Sequence, residues 1–438
     1  MAGVFLLAGL EVSHRSVGDR IQITRPLAKK TEPMSRLPAD FTRHRAIALT
    51  LTAHRQLRTR PILRLWRTTF LEHLFIITPM SYCQIIFHPW KPISLPLRRI
   101  LIAKTTQLGD LVISLPMASA LKQRDPDCTV IFLTNKKTVD VARCCPDIDE
   151  VYGEPDTAQE LLVLLVSLKV DIFIQVNNSR IIARAACAAG IPIRIGSLYR
   201  IYNFGLCTHL VATSRSIFGL NKRLLDLQYL LPMGIKIDNL PAVLNLYQLA
   251  PPQFSPDFSR IHPDHFSQGR RTIILNPSLI TAQAHQWPLE SYTRLIRSLD
   301  PNKFHWFICG VQSDRENLQH LLERHLQDSN VTDLVGHLPL MEFMSFINCC
   351  DGMVAGSTGP LHLAAALGIH TLGLFQSRRI DIKRWYPLGH LTAVIYSNVR
   401  CLGERRAATA KQRLPCPCIV AIKYDTVARH VLRWFEKY

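Results

Sequence analysis

From Arg99 onward the chain alternates short apolar runs with longer stretches whose apolar positions recur every three or four residues. The short runs read as buried strands and the longer ones as amphipathic helices. "RRILIAK" predicts a first strand, "TTQLGD" a turn and "LVISLPMASALKQR" a helix. "CTVIFLTN", "DEVYG", "VDIFIQV" and "PIRIGS" predict further strands. "KKTVDVARCCP", "AQELLVLLVSLK" and "IIARAACAAGI" are the helices between them. Such repetition builds a doubly wound α/β domain, here 97–240. Residues 241–268 are rich in Pro, Asp, Phe and His without periodicity and read as a linker. The alternation resumes over 269–438, from "RTIILNP" through "FHWFICG", "VTDLVG", "DGMVAG" and "HTLGLF" to the amphipathic "YDTVARHVLRWFEKY". The expected fold class is α/β, with two Rossmann-like domains facing a central cleft.

Residues 1–96 show no such alternation and form a basic N-terminal extension. Composition makes that segment informative. The 438 residues carry a net charge of +19, and residues 1–99 hold 16 Lys or Arg against 5 Asp or Glu. An anionic partner is therefore expected. Two readings stand for the extension. One is a basic amphipathic segment lying on an anionic membrane. The other is a poorly ordered stretch read from a start codon upstream of Met80. Basic residues are not interleaved with aromatic platforms, so nucleic acid is not expected. No secretory signal or membrane span is expected: "MAGVFLLAGL" has no basic residue ahead of its apolar run, and the apolar patch 70–90 contains Glu72, His73 and Pro79. The twelve cysteines lie in apolar contexts without CxxC spacing, which points to a cytoplasmic protein. Cys416 and Cys418 in "PCPC" are the only suspicious pair, read as free thiols rather than a metal site.

Four stretches carry candidate chemistry. In "AKTTQLGDLVISLP", Asp110 follows the first strand, where ligands of open α/β sheets bind. It serves there either as a general base or as a helix cap. Lys104, Thr105 and Thr106 are placed to bind an acceptor anion. In "ILNPSLITAQAHQWPLESY", Ser278 and Thr281 can donate to a diphosphate and His285 can add charge when protonated, while Trp287 reads as a packing anchor. After Gly310 in "FHWFICGVQSDRE", Asp314 and Glu316 suit ribose hydroxyls, or else compensate a helix dipole. In "GSTGPLHLAAALG", Ser357, Thr358 and Gly359 open a helix whose free N–H groups attract phosphate, unless they only cap it. His362 on that first turn either holds the sugar or diphosphate or packs between domains. The order of these stretches suggests a nucleotide-sugar donor in the second domain and an acceptor at the first.

These stretches resemble glycosyltransferase family 9, the bacterial lipopolysaccharide heptosyltransferases and their relatives. "RILIAKTTQLGDLVISLPMASALKQRDPDCTVIFLTN" is similar to the family's opening strand, "GD" turn and "LP" helix. "HQWPLESYTRLI" resembles its K-x-W-P segment, and "GSTGPLHLAAALGIHTLGLF" its S/T-G-P-x-H-L segment. The match begins near Arg98. The resemblance implies a GT-B fold and inverting transfer that needs no metal or other cofactor. It also implies an ADP-heptose-like donor and a lipopolysaccharide-core or related glycolipid acceptor. Asp110 takes the place of the family's base, and the "STG" helix start that of its diphosphate cradle. The enzyme would then work at the cytoplasmic face of the inner membrane. Two departures bear on the donor: His285 stands where the family usually has Lys, and Ser357 where it often has Asp. The alternatives are a nucleotide-sugar epimerase or hydrolase of the same fold, and a catalytically silent membrane-binding protein.

Overall fold

Ile100, Leu101, Ile102 and Ala103 are all fully buried. A strand covered on both faces is what a central parallel strand requires. The computed structural model describes residues 2–6, 93, 96, 98–213, 221–237, 240–246, 249–250, 252, 269–277, 286–377, 379–401 and 415–436. Around β2 (Arg99–Lys104) lie β3 (Thr129–Thr134), β4 (Glu150–Gly153), β5 (Ile172–Gln175), β6 (Ile193–Ser197) and β7 (His209–Val211). They form one parallel sheet in the order β4-β3-β2-β5-β6-β7.

The second sheet holds β8 (Arg271–Asn276), β9 (Phe304–Gly310), β10 (Val331–Val335), β11 (Gly352–Gly356), β12 (His370–Leu374) and β13 (Thr392–Ser397). Its order is β13-β12-β11-β8-β9-β10, and β1 (Ala2–Leu6) adds an antiparallel edge beside β13. Numbered within its own half, each parallel sheet runs 3-2-1-4-5-6. That is the doubly wound order, with a crevice where the winding reverses beside the first strand. In this molecule the crevices lie between β2 and β5 and between β8 and β11.

Every apolar run read as a strand forms one. Two strands of the parallel sheets, β7 and β13, were not foreseen. β7 is only three residues long, and short apolar runs cannot be assigned by period alone. The helix expected over "LVISLPMASALKQR" begins earlier and divides into Leu108–Ser114 and Pro116–Arg124. Pro116 lacks the N–H that would continue the ladder, although Leu115 keeps helical dihedrals.

Alternate residues of β2 feed different layers. Leu101 and Ala103 pack with Phe173, Leu161 and Ile182 on one face. Ile100 and Ile102 pack with Leu111 and Met117 on the other, in a core that continues into Phe307, Met353 and Leu361 of the second half. A third core lies beneath the helix Tyr424–Arg433, where Val427 and Val431 meet Ile273, Leu275 and Tyr292. Trp287 anchors that layer as expected: it is buried, and its indole N–H donates to Ile422 O at 2.9 Å.

Candidate active site

Gly109 and Gly359, 250 positions apart in the chain, touch. A Cβ on Gly109 would lie 3.2 Å from both Gly359 Cα and His362 Cδ2. One on Gly359 would lie 3.3 Å from Gly109 N and from Leu108 Cβ. Only glycine at both positions lets two helix starts approach this closely without displacement. The helix Leu108–Ser114 of the first half and the helix Gly359–Leu367 of the second therefore meet at their N-terminal ends. Asp110 and the Ser357–Gly359 turn are thereby brought to one place, at the carboxyl ends of β2 and β11.

Neither turn is closed by its own side chains. The N-cap of the Asp110 helix is Gln107, so Asp110 sits inside the first turn and is not the cap. Its carboxylate is 27% exposed, and Oδ1 accepts from Lys104 Nζ at 3.5 Å. Thr358 holds the N-cap position of the second helix, yet its side chain makes no capping bond. Thr358 Oγ1 and Thr106 Oγ1 are both buried with no hydrogen-bond partner among the described residues. A buried hydroxyl without a partner costs about 1–3 kcal/mol, which a bound polar ligand can relieve. The first N–H groups of the Gly359 helix, with its dipole, add a site for negative charge.

Lys104 is not open to solvent. It is 2% exposed, and its Nζ lies 3.6 Å from Asp226 Oδ2 as well as 3.5 Å from Asp110. Asp226 also pairs with Lys222 one helical turn earlier. Burial pushes the Lys222 ammonium down to about 8, against the pull of Asp226. This Lys104–Asp226–Lys222 group was not anticipated. The i,i+4 spacing in "NKRLLDLQYLL" was its available sign. Thr105 is also occupied: Asn177, just after β5, donates to Thr105 Oγ1 at 3.0 Å and accepts from Thr105 N at 3.4 Å. Asn221 caps the helix Lys222–Leu227 and reaches across to the second half, donating to Lys383 O at 3.2 Å and Tyr386 O at 3.3 Å.

His362 lies on the first turn of the Gly359 helix, against Gly109 and only 3% exposed. Burial, helped by the nearby Arg223 guanidinium, pushes its imidazole down to about 3. It is neutral at physiological pH and packs between the two halves. Ser357 is exposed on the turn itself. Gly310 ends β9, and Asp314 beyond it is buried, its Oδ2 accepting from Val311 N at 3.1 Å. Glu316 is exposed on the first turn of Arg315–Arg324. Ser278, Thr281 and His285 lie outside the described residues.

Two Rossmann-like domains with their switch points meeting at a shared crevice define the GT-B architecture. The comparisons with known proteins agree with it. Residues 240–414 match the family model of glycosyltransferase family 9 (heptosyltransferase). A Haemophilus influenzae protein provisionally named a glycosyltransferase is 24% identical over 317 residues, covering 67% of this chain and 86% of that one. Lipopolysaccharide heptosyltransferase 3 of Escherichia coli is 21% identical over 295 residues, covering 64% and 83%. Among solved structures, Escherichia coli ADP-heptose lipopolysaccharide heptosyltransferase II superposes with a TM-score of 0.61 at 19% identity, covering 77% of this chain and 98% of its own. A family 9 glycosyltransferase from Veillonella parvula gives 0.62 at 15% identity, with 78% and 98% covered. Over residues 240–414 this chain is similar to glycosyltransferase family 9, and it is a glycosyltransferase.

Proposed function

We propose that the chain transfers a sugar, with inversion, from an ADP-heptose-like nucleotide-sugar to a lipopolysaccharide core or related glycolipid. The Gly109–Gly359 contact carries this reading, because it sets a carboxylate from one domain beside an uncapped helix start from the other. Asp110 takes the proton of the acceptor hydroxyl as that oxygen attacks the anomeric carbon. Lys104 holds the Asp110 carboxylate in place and Thr106 offers its hydroxyl to the acceptor. The N–H groups at Gly359, with Thr358 Oγ1, receive the charge of the departing nucleoside diphosphate. Ser278, Thr281 and His285 complete the donor site in this reading, and Asp314 and Glu316 lie on the nucleoside side of it. Charge on the leaving group is met by helix dipole, hydroxyls and His285, so the transfer itself needs no metal. A glycolipid acceptor places the enzyme at the cytoplasmic face of the inner membrane, and the basic surplus of residues 1–99 supports peripheral attachment to anionic lipid.

The test is Asp110→Asn. Turnover on donor plus acceptor should fall about 100-fold or more, with donor affinity by thermal shift and the unfolding midpoint little changed. Lys104 keeps one carboxylate partner in the variant, Asp226, which it shares with Lys222. Near-normal turnover would remove Asp110 from the chemistry. Conversion of donor without acceptor would favour an epimerase or hydrolase.

A further inference from the structure

Cys401, Cys416 and Cys418 converge although "PCPC" alone supplies only two of them. Their three Sγ atoms all lie within 4.8 Å of one another. Cys416 Sγ is 3.3 Å from Cys418 Sγ and 3.9 Å from Cys401 Sγ. Thiolates bound to one tetrahedral zinc ion at about 2.3 Å stand about 3.8 Å apart, so these separations bracket that value. A disulfide needs about 2.05 Å, and an odd number of thiols cannot all pair with each other.

The backbone presents them from two directions. Cys401 follows β13, and its Sγ also lies 3.9 Å from Gln376 Oε1, just beyond β12. Cys416 caps the helix Pro417–Val420, which carries Cys418. That helix is tied to β13 by the Ser397 hydroxyl donating to Cys418 O at 2.6 Å. Cys418 is buried while Cys401 and Cys416 are half-buried, which leaves a coordination position toward solvent.

The geometry points to a structural metal site in which Cys401, Cys416 and Cys418 bind one thiophilic divalent ion, zinc in the first place, with a water in the fourth position. Each thiol that ligates gives its proton to solvent, and no oxidant or reductant is consumed. The ion would join the chain after β13 to the Pro417 helix. It would thus brace the carboxyl edge of the sheet from which the Thr358 turn also emerges. This role is separate from sugar transfer and does not depend on the proposed donor.

The experiment uses the full chain, purified without chelator, with metal content read by mass spectrometry and cobalt as the optical probe. About one zinc per chain is expected, together with an intense ultraviolet thiolate-to-cobalt band after exchange. Cys401→Ser and Cys416→Ser should each lose most of the metal and weaken that band. A second readout needs no variant: zinc should shield these three cysteines from alkylation in the wild-type chain, while the exposed Cys349 stays reactive. Substoichiometric metal with equal alkylation with and without added zinc would overturn the site. So would a disulfide between any two of the three in the freshly isolated protein.

Discussion

At the scale of single residues, the decisive groups are those whose burial sets their charge. His362, pushed down to about 3, remains neutral in the folded chain where an unfolded histidine protonates near its ordinary value of 6.5. Between those values the unfolded chain binds more protons, so this contribution to stability is complete above pH 6.5 and is lost as pH falls toward 3. The shift corresponds to at most about 5 kcal/mol. His430, pushed down to about 4, acts in the same direction and stays as background. His362→Gln should therefore flatten, without abolishing, the fall in urea midpoint between pH 6.5 and 4. An unchanged acid limb would mean that His362 is not the neutral interdomain packer described above. Sequence could offer His362 both as a ligand and as a packing residue. Only its burial against Gly109 gives it a fixed charge.

At the scale of elements, the contact between the two helix starts is the hinge of the site. A methyl group on Gly359 would lie 3.3 Å from Gly109 N and Leu108 Cβ and 3.4 Å from Leu108 Cδ2, so the other helix start must give by a few tenths of an ångström. Gly359→Ala should cost about 1–3 kcal/mol and lower turnover by more than its stability loss explains, because Asp110 and the Thr358 turn are displaced together. Gly205 provides the control. It lies in a helix with nothing within 4 Å of an added Cβ, so Gly205→Ala should be neutral or stabilise by up to about 1 kcal/mol. Stability from chemical denaturation and turnover measured side by side separate the two effects. Equal turnover in both variants would show that the Gly109–Gly359 approach does not position the reacting groups. The strand–turn–helix character of both elements was legible from their apolar periods. Their meeting was not, since a pattern of period two or 3.6 states which face is buried and never against what.

At the scale of the whole molecule, charge and fold separate along the chain. Apart from the antiparallel edge strand β1, the described fold is joined from Ile93, whose N–H donates to Pro232 O at 3.0 Å and whose side chain packs on the first core. No helix of the described residues is long and apolar enough to cross a membrane. A chain begun at Met80 loses only the antiparallel edge strand β1, keeps every parallel strand of both sheets, and should fold and turn over a soluble acceptor fragment. The full chain alone should sediment with anionic vesicles, and added salt should release it. Loss of folding in the shorter chain would tie residues 1–79 to the catalytic domains. Equal vesicle binding by both chains would move the membrane-facing surface to the first Rossmann-like domain.

The sequence by itself determined the class of fold, since buried parallel strands must be apolar on both faces and their helices on one. It also singled out the two glycine-bearing turns, because each joins a buried strand to a helix, where ligands of open α/β sheets bind. Tertiary structure decided which residues share an environment. It withdrew Lys104 from solvent into a pair of carboxylates, 6 and 122 positions away in the chain. It also set Cys401 beside a Cys-Pro-Cys tripeptide from which 14 residues separate it. Local pattern encodes burial, whereas the partners met in that burial come from how the layers stack. Desolvation and coulombic pairing act only between groups that have already been brought together.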